Sequence, residues 1–150
     1  VTVAAKDDVV ITGDVKASDN TTGTDMIGLV GGNYVWVYHP VNSSGANLLS
    51  SSATPRVVQA AVLSLRHSFI VQNWQYGSAL SSSSDTSSKL NVTGSISQRY
   101  RGPVGTGNSS GPVSGYLKNY VYDQRLKTLQ PPYFLKPDAT PWQVVTVTDG

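Results

Sequence analysis

The side chains in this sequence best suited to metal, acid–base or nucleophilic chemistry are two histidines, nine aspartates and many serines; cysteine and glutamate are absent. His39 and His67 have no second His or Asp at metal-ligand spacing, so a metal would need ligands gathered from distant parts of the chain. No cofactor is expected. Both rings are expected to hydrogen-bond at corners of the fold, His39 ahead of Pro40 and His67 between Arg66 and Ser68. The serines sit mostly in loop-like stretches and read as composition rather than as nucleophiles. Glycan cleavage would need two acids facing one groove. The candidates are Asp7, Asp8, Asp14, Asp19, Asp25, Asp85, Asp123, Asp138 and Asp149, of which Asp8 and Asp14 flank a strand-like run and could meet acids of another strand. Nothing in their spacing demands it, and the chain reads as a non-enzyme.

Two constellations could bind rather than react. Tyr34, Trp36 and Tyr38 alternate with Val35 and Val37, so on a strand the three rings share one face and the two valines the other. With Trp74 they form a candidate stacking platform for a glycan, or rings packed beneath Ser-rich loops. Arg99, Arg101, Asp123 and Arg125 lie in segments rich in aromatic residues and glycine, where an unpaired charge is costly. An Arg–Asp bridge tying the C-terminal segment to the last strands is expected there. The binding alternative is a carboxylate or glycan held by arginine and stacked on Tyr100 or Tyr122.

The 150 residues suit one domain with a core that needs no disulfide. Only 13% are charged, the formal net charge is +2 and the basic residues are scattered, which argues against a nucleic-acid partner. The apolar runs are too short to span a bilayer and no signal peptide is visible. Val1 opens on a strand-like run, so the expected N-terminus is a processing point or fragment boundary within a longer exported protein. Asn20, Asn42, Asn91 and Asn108 begin Asn-x-Ser/Thr sequons.

Helical periodicity is nearly absent, whereas β-branched and aromatic residues fall in short runs bounded by Gly, Pro, Asn, Asp and Ser. The expected strands are Val1–Ala5, Val9–Lys16, Met26–Val30, Tyr34–Tyr38, Val57–Leu65, Ser68–Trp74, Leu90–Arg99 and Gln143–Thr148. Residues 41–55, 77–89 and 102–115 read as Ser/Gly-rich loops, with 81–85 the most mobile. Similar segments recur at Val9–Val15, Val57–Leu63 and Leu90–Ile96, and alternate residues such as Leu90, Val92, Gly94 and Ile96 can face one interior. This pattern predicts an all-β chain folded as a parallel β-solenoid, with a β-sandwich as the alternative. From Tyr116 to Trp142 aromatic residues and prolines concentrate, which predicts a capping strap carrying Tyr122, Asp123, Arg125 and Phe134. A short helix fits best within 120–129. Residues 1–115 would then hold the strands and loops, and 116–142 the strap.

Several strings in order, Gly28-Leu29-Val30-Gly31-Gly32-Asn33-Tyr34-Val35, Val37-Tyr38-His39-Pro40, Ala60-Ala61-Val62-Leu63, His67-Ser68-Phe69-Ile70-Val71, Tyr100-Arg101-Gly102-Pro103-Val104-Gly105 and Tyr122-Asp123-Gln124-Arg125-Leu126 followed by Pro131-Pro132-Tyr133-Phe134, resemble the C-terminal region of actinobacterial and other bacterial PilX-like pilus-assembly proteins. The resemblance spans roughly residues 9–142. It implies an exported cell-envelope protein whose N-terminal membrane segment lies outside this sequence, and it carries over no catalytic residue.

The leading expectation is therefore a non-enzymatic extracellular structural module of a pilus or other surface assembly. Its expected partners are copies of itself or other surface subunits, through unsatisfied strand edges. A surface adhesin or carbohydrate-binding module is the second expectation, and a β-helical glycan hydrolase or lyase the third.

Overall fold

The computed structural model describes residues 1–135. Ten strands occur there: β1 (Thr2–Ala5), β2 (Val9–Ile11), β3 (Gly28–Gly31), β4 (Val35–Val37), β5 (Val57–Ser64), β6 (Phe69–Val71), β7 (Leu90–Gln98), β8 (Gly105–Asn108), β9 (Gly111–Gly115) and β10 (Lys118–Tyr122). One sheet has the order β1-β3-β5-β7-β10 and a second the order β2-β4-β6, and every pairing within both is parallel. The fold is all-β and mostly parallel. The chain alternates between the sheets, laying one strand on each in its first three passes, and β7 and β10 then extend the larger sheet alone. Successive passes therefore bring residues of like facing into register.

That register converts alternation in sequence into apolar columns. Leu29, Val62 and Ile96 pair in succession across β3, β5 and β7, while Val35 meets Phe69 and Val37 meets Val71 in the other sheet. Val35, Val37, Val58, Val62, Val71 and Leu90 are fully buried. Parallel neighbours lie about 4.8 Å apart, so β-branched side chains stack on those of the next pass and lose nearly all their water. Turns and strands alike must let backbones approach as closely. A Cβ on Gly32 would sit 1.7 Å from the Lys6 carbonyl oxygen, and one on Gly94 would sit 1.8 Å from that of Ala60. Both obstacles are backbone. Gly94→Ala, in the interior of the larger sheet, is expected to cost at least about 1–3 kcal/mol as overpacking, measured as a lower urea midpoint.

The strands are shorter than the sequence predicts, with Val9–Lys16 corrected most. β2 ends at Ile11 because Asp14 turns the chain, its carboxylate accepting from Arg56 N (2.9 Å) and Val57 N (3.0 Å), and Val15 joins β5 by a single bridge to Val58. The expected loop 102–115 holds the antiparallel hairpin β8–β9, tied down where Ser114 Oγ donates to Trp74 O at 2.7 Å. In the Ser-rich loop 77–89, Asp85 caps a 3₁₀ turn, Thr86–Ser88, and Ser81 is buried with its hydroxyl donating to Ser88 O. The strand expected at Gln143–Thr148 lies outside the described residues, as does Trp142.

The strap begins later than expected, because Lys118–Tyr122 is a strand extending the larger sheet beyond β7. Asp123 then turns the chain away, its N–H on Gly94 O and its carboxylate capping a 3₁₀ turn, Gln124–Lys127. From there the chain runs back over the outer face of the larger sheet to the first two passes. Leu126 lies beside Met26, Ala61 and Gly94. Thr2 Oγ1 donates to Pro132 O, and Phe134 and Pro131 fill the space over Gly28, which has no side chain to compete. This cover explains why all four residues of β3 are buried although only alternate ones face the interior.

Candidate functional site

The turns between the two sheets stack into one corner. Asn33 N donates to Asp7 O at 2.7 Å, His67 N to Asn33 O at 3.2 Å, and Arg99 N and Tyr100 N both to His67 O. This backbone stack lines up side chains from four passes. The Tyr34 ring lies 4.7 Å from that of Trp36 and stacks on His67 at 4.4 Å with an interplanar angle of 5°, and His67 in turn lies 6.4 Å from Tyr100. Asp8 anchors the ladder from the first pass. Its carboxylate accepts from Tyr34 N and from Trp36 Nε1, each at 3.0 Å. At the other end the Arg99 guanidinium sits 5.4 Å over the Tyr100 ring.

Such a ladder pins neighbouring passes together, since each aromatic contact adds to the area it buries. A sugar stacks on a free aromatic face. The Tyr34 face is taken by His67. Tyr34, Trp36 and Tyr38 are half-buried on the side opposite the buried Val35 and Val37, but only the first two rings are brought together. Tyr38 and Trp74 make no ring pair among the described residues, and Trp74 packs against the core. Sequence reasoning missed Asp8, His67 and Tyr100 as ladder members. They join it only through the parallel register.

The residues with chemical potential are otherwise committed to the fold. His39 is fully buried, with Nδ1 3.1 Å from Gln72 O and Nε2 2.9 Å from Asn47 Oδ1. Asp8 and Asp14 do not meet; each holds backbone N–H groups of the following passes. Ser109 occupies Gly107-Asn108-Ser109-Ser110-Gly111, which has the spacing of a nucleophile elbow. It lies at the tip of an antiparallel hairpin rather than on a strand-to-helix turn, with both histidines engaged elsewhere. Among the described residues no three His, Cys, Asp or Glu side chains cluster as metal ligands.

Of the residues expected in the strap, Asp123 and Arg125 come together and Arg99 and Arg101 stay apart from them. Asp123 accepts from Arg125 Nε at 3.1 Å and from its NH2 at 2.8 Å. Arg125 NH1 reaches Gly23 O at 2.8 Å and Asp25 O at 3.3 Å, with Asp19 at 3.5 Å. The bridge therefore ties the strap to the loop between the first two passes rather than to the last strands. Hydrogen bonds from the Arg125 side chain, outweighing burial, hold the Asp123 carboxyl below its ordinary range.

The two ends of the stack differ from its flanks. The inward-facing Val3, in register with buried Leu29, is 48% exposed at the first pass; Tyr122, in register with Gly94, is 48% exposed at the last. Beside Tyr120, whose ring meets Phe69 edge-on at 6.4 Å, open grooves of about 430 and 450 Å³ run along Ile96. Arg101 and Lys118 line the first of these. Burial, and then the like charge of Arg101, push the Lys118 ammonium below its ordinary pKa.

No family model, no curated protein and no solved structure matches this chain.

Proposed function

We propose that the chain is a parallel β-solenoid serving as a non-enzymatic structural module of an extracellular assembly, a pilus or related surface structure, through subunit contacts at the ends of its stack. The observation that carries this reading is that the apolar columns run through successive passes and, among the described residues, stop uncovered, at Val1 and Val3 on one end and at Tyr120 and Tyr122 on the other. A parallel strand with an unpaired edge offers a row of backbone donors and acceptors as well as that apolar surface. Parallel pairing throughout both main sheets favours a solenoid over a sandwich, whose sheets are antiparallel. The low charge and the ordered strings resembling PilX-like proteins support export and a place in the cell envelope.

A carbohydrate-binding role draws on the same aromatic corner, where one face of Tyr34 is already stacked on His67. Glycan cleavage draws on aspartates that instead brace backbone at Asp8, Asp14, Asp85 and Asp123. Immunogold labelling of cells that produce the protein distinguishes these roles. Linear arrays of label on an external structure are expected, and label confined to the cell interior would overturn the reading.

A further inference from the structure

The two ends of the stack carry opposite charge at the same corner. On the first pass the corner presents Asp7 and Asp8 beside one lysine, Lys6, and Asp7 is exposed with a single long hydrogen bond from Asn33 Nδ2 at 3.4 Å. Three passes later the same backbone stack ends in Arg99, with Arg101 two residues on and Lys118 across the groove. Arg99, Arg101 and Lys118 make no ion pair among the described residues. Apolar surface lies next to the charge at both ends: Val3 at the first, and Ile96, Tyr120 and Tyr122 at the last.

We infer that the partner at these ends is a second copy of the chain, stacked head to tail, with the Asp7–Asp8 corner of one copy against the Arg99–Arg101–Lys118 end of the next. The inference rests on the structural-module reading and gives it a partner and a polarity. Like ends cannot pair as well, because Asp would face Asp or Arg would face Arg, and such contacts are strongly penalised. Opposite ends also offer sheet edges that fit in register, since β1 lines up through β3 and β5 with Ser95–Gln98, the half of β7 that β10 leaves unpaired among the described residues. The contact is heterologous, so each copy keeps one free end of each kind.

Heterology gives a test that a symmetric contact would fail. Asp7→Lys and Arg99→Glu are made separately in the full chain; both residues are exposed, and unchanged circular dichroism and urea midpoints confirm folding. Sedimentation velocity at low ionic strength is expected to place the self-association of each variant at least about tenfold weaker than wild type, the effect of facing like charges. An equimolar mixture is expected to recover wild-type association. In an alternating stack the two substituted positions face each other, and the remaining contacts are native. At about 1 M salt, where screening acts over about 3 Å, the differences among the proteins are expected to shrink.

A mixture that sediments like either variant alone overturns the head-to-tail inference, as does Asp7→Lys alone strengthening association, which would mark a symmetric contact in which position 7 faces Asp8 of the other copy. Wild-type association unaffected by either variant overturns the charge pairing while leaving the structural role intact. A wild type that stays monomeric assigns the ends to another occupant and overturns the inference, and immunogold labelling then decides separately whether the surface role survives.

Discussion

Phe69→Ala is expected to destabilise the protein by about 3–5 kcal/mol, the range for removing a large aromatic side chain from a packed core. The ring is 2% exposed and belongs to β6, the edge strand of the smaller sheet. It stands in register with Val35 of the preceding pass, and the next pass comes close enough that a Cβ on Gly102 would lie 2.0 Å from the Phe69 carbonyl oxygen. Tyr120 meets the ring from the last strand. Phe69 thus joins both sheets to the exposed end of the stack. The measurement is a urea melt with an unchanged slope and a lowered midpoint; a wild-type midpoint would mean that the columns do not carry the stability. Phe134, whose ring is only half-buried over Gly28, is expected to cost less, about 1–2 kcal/mol, as partial loss of buried apolar area.

Asp123→Ala is expected to cost about 3 kcal/mol, the low end for breaking a buried ion pair. The two side chains are 9% and 17% exposed, and Arg125 uses the rest of its donors on backbone carbonyls of the loop between the first two passes. Without the carboxylate the guanidinium keeps Asp19, at 3.5 Å, as its nearest counter-charge, which holds the cost to the low end of that range, and the 3₁₀ turn after Tyr122 loses its cap. The effect depends on pH with a definite sign. Asp123 has a depressed folded-state pKa, so its stabilisation is fully present above the unfolded value of about 3.9 and is lost as pH falls through the lower folded value. The difference between wild type and Asp123→Ala is therefore expected to be constant near neutrality and to shrink below about pH 4. A difference that persists unchanged in acid would mean that the carboxylate charge is not what Asp123 contributes.

The alternation of valines makes the passes legible in the sequence. Val9–Ile11, Val35–Val37, Val57–Ser64 and Leu90–Gln98 all fall within expected strands, because inward β-branched residues at every second position are what a half-buried strand requires. β10 is not legible in the same way. Lys118-Asn119-Tyr120-Val121-Tyr122 sits among aromatic residues and prolines that suggest a strap, and its inward residues are the ones left uncovered at the end of the stack. The hairpin β8–β9 is hidden for a different reason. Gly105–Asn108 and Gly111–Gly115 have almost no apolar alternation, and backbone pairing with hydroxyl bonds at Thr106 and Ser114 holds them instead.

The corner ladder is half legible. Tyr34 and Trp36 announce a ringed face by local spacing, but Asp8, His67 and Tyr100 join it only through the parallel register, which no local pattern encodes. Arg125 likewise finds carbonyls of Gly23 and Asp25, about a hundred residues away along the chain. Such contacts follow from how many residues each loop ejects between passes. The Ser/Gly-rich loops differ in length, so no fixed period marks the register in the sequence.

Contact surfaces at the ends of this stack would show in the molar mass of the wild-type chain, measured by light scattering over a wide concentration range. A head-to-tail contact does not close on itself, so the mass is expected to rise steadily with concentration and to pass the dimer without a plateau. A single concentration-independent mass equal to one chain, 15.9 kDa, would contradict it.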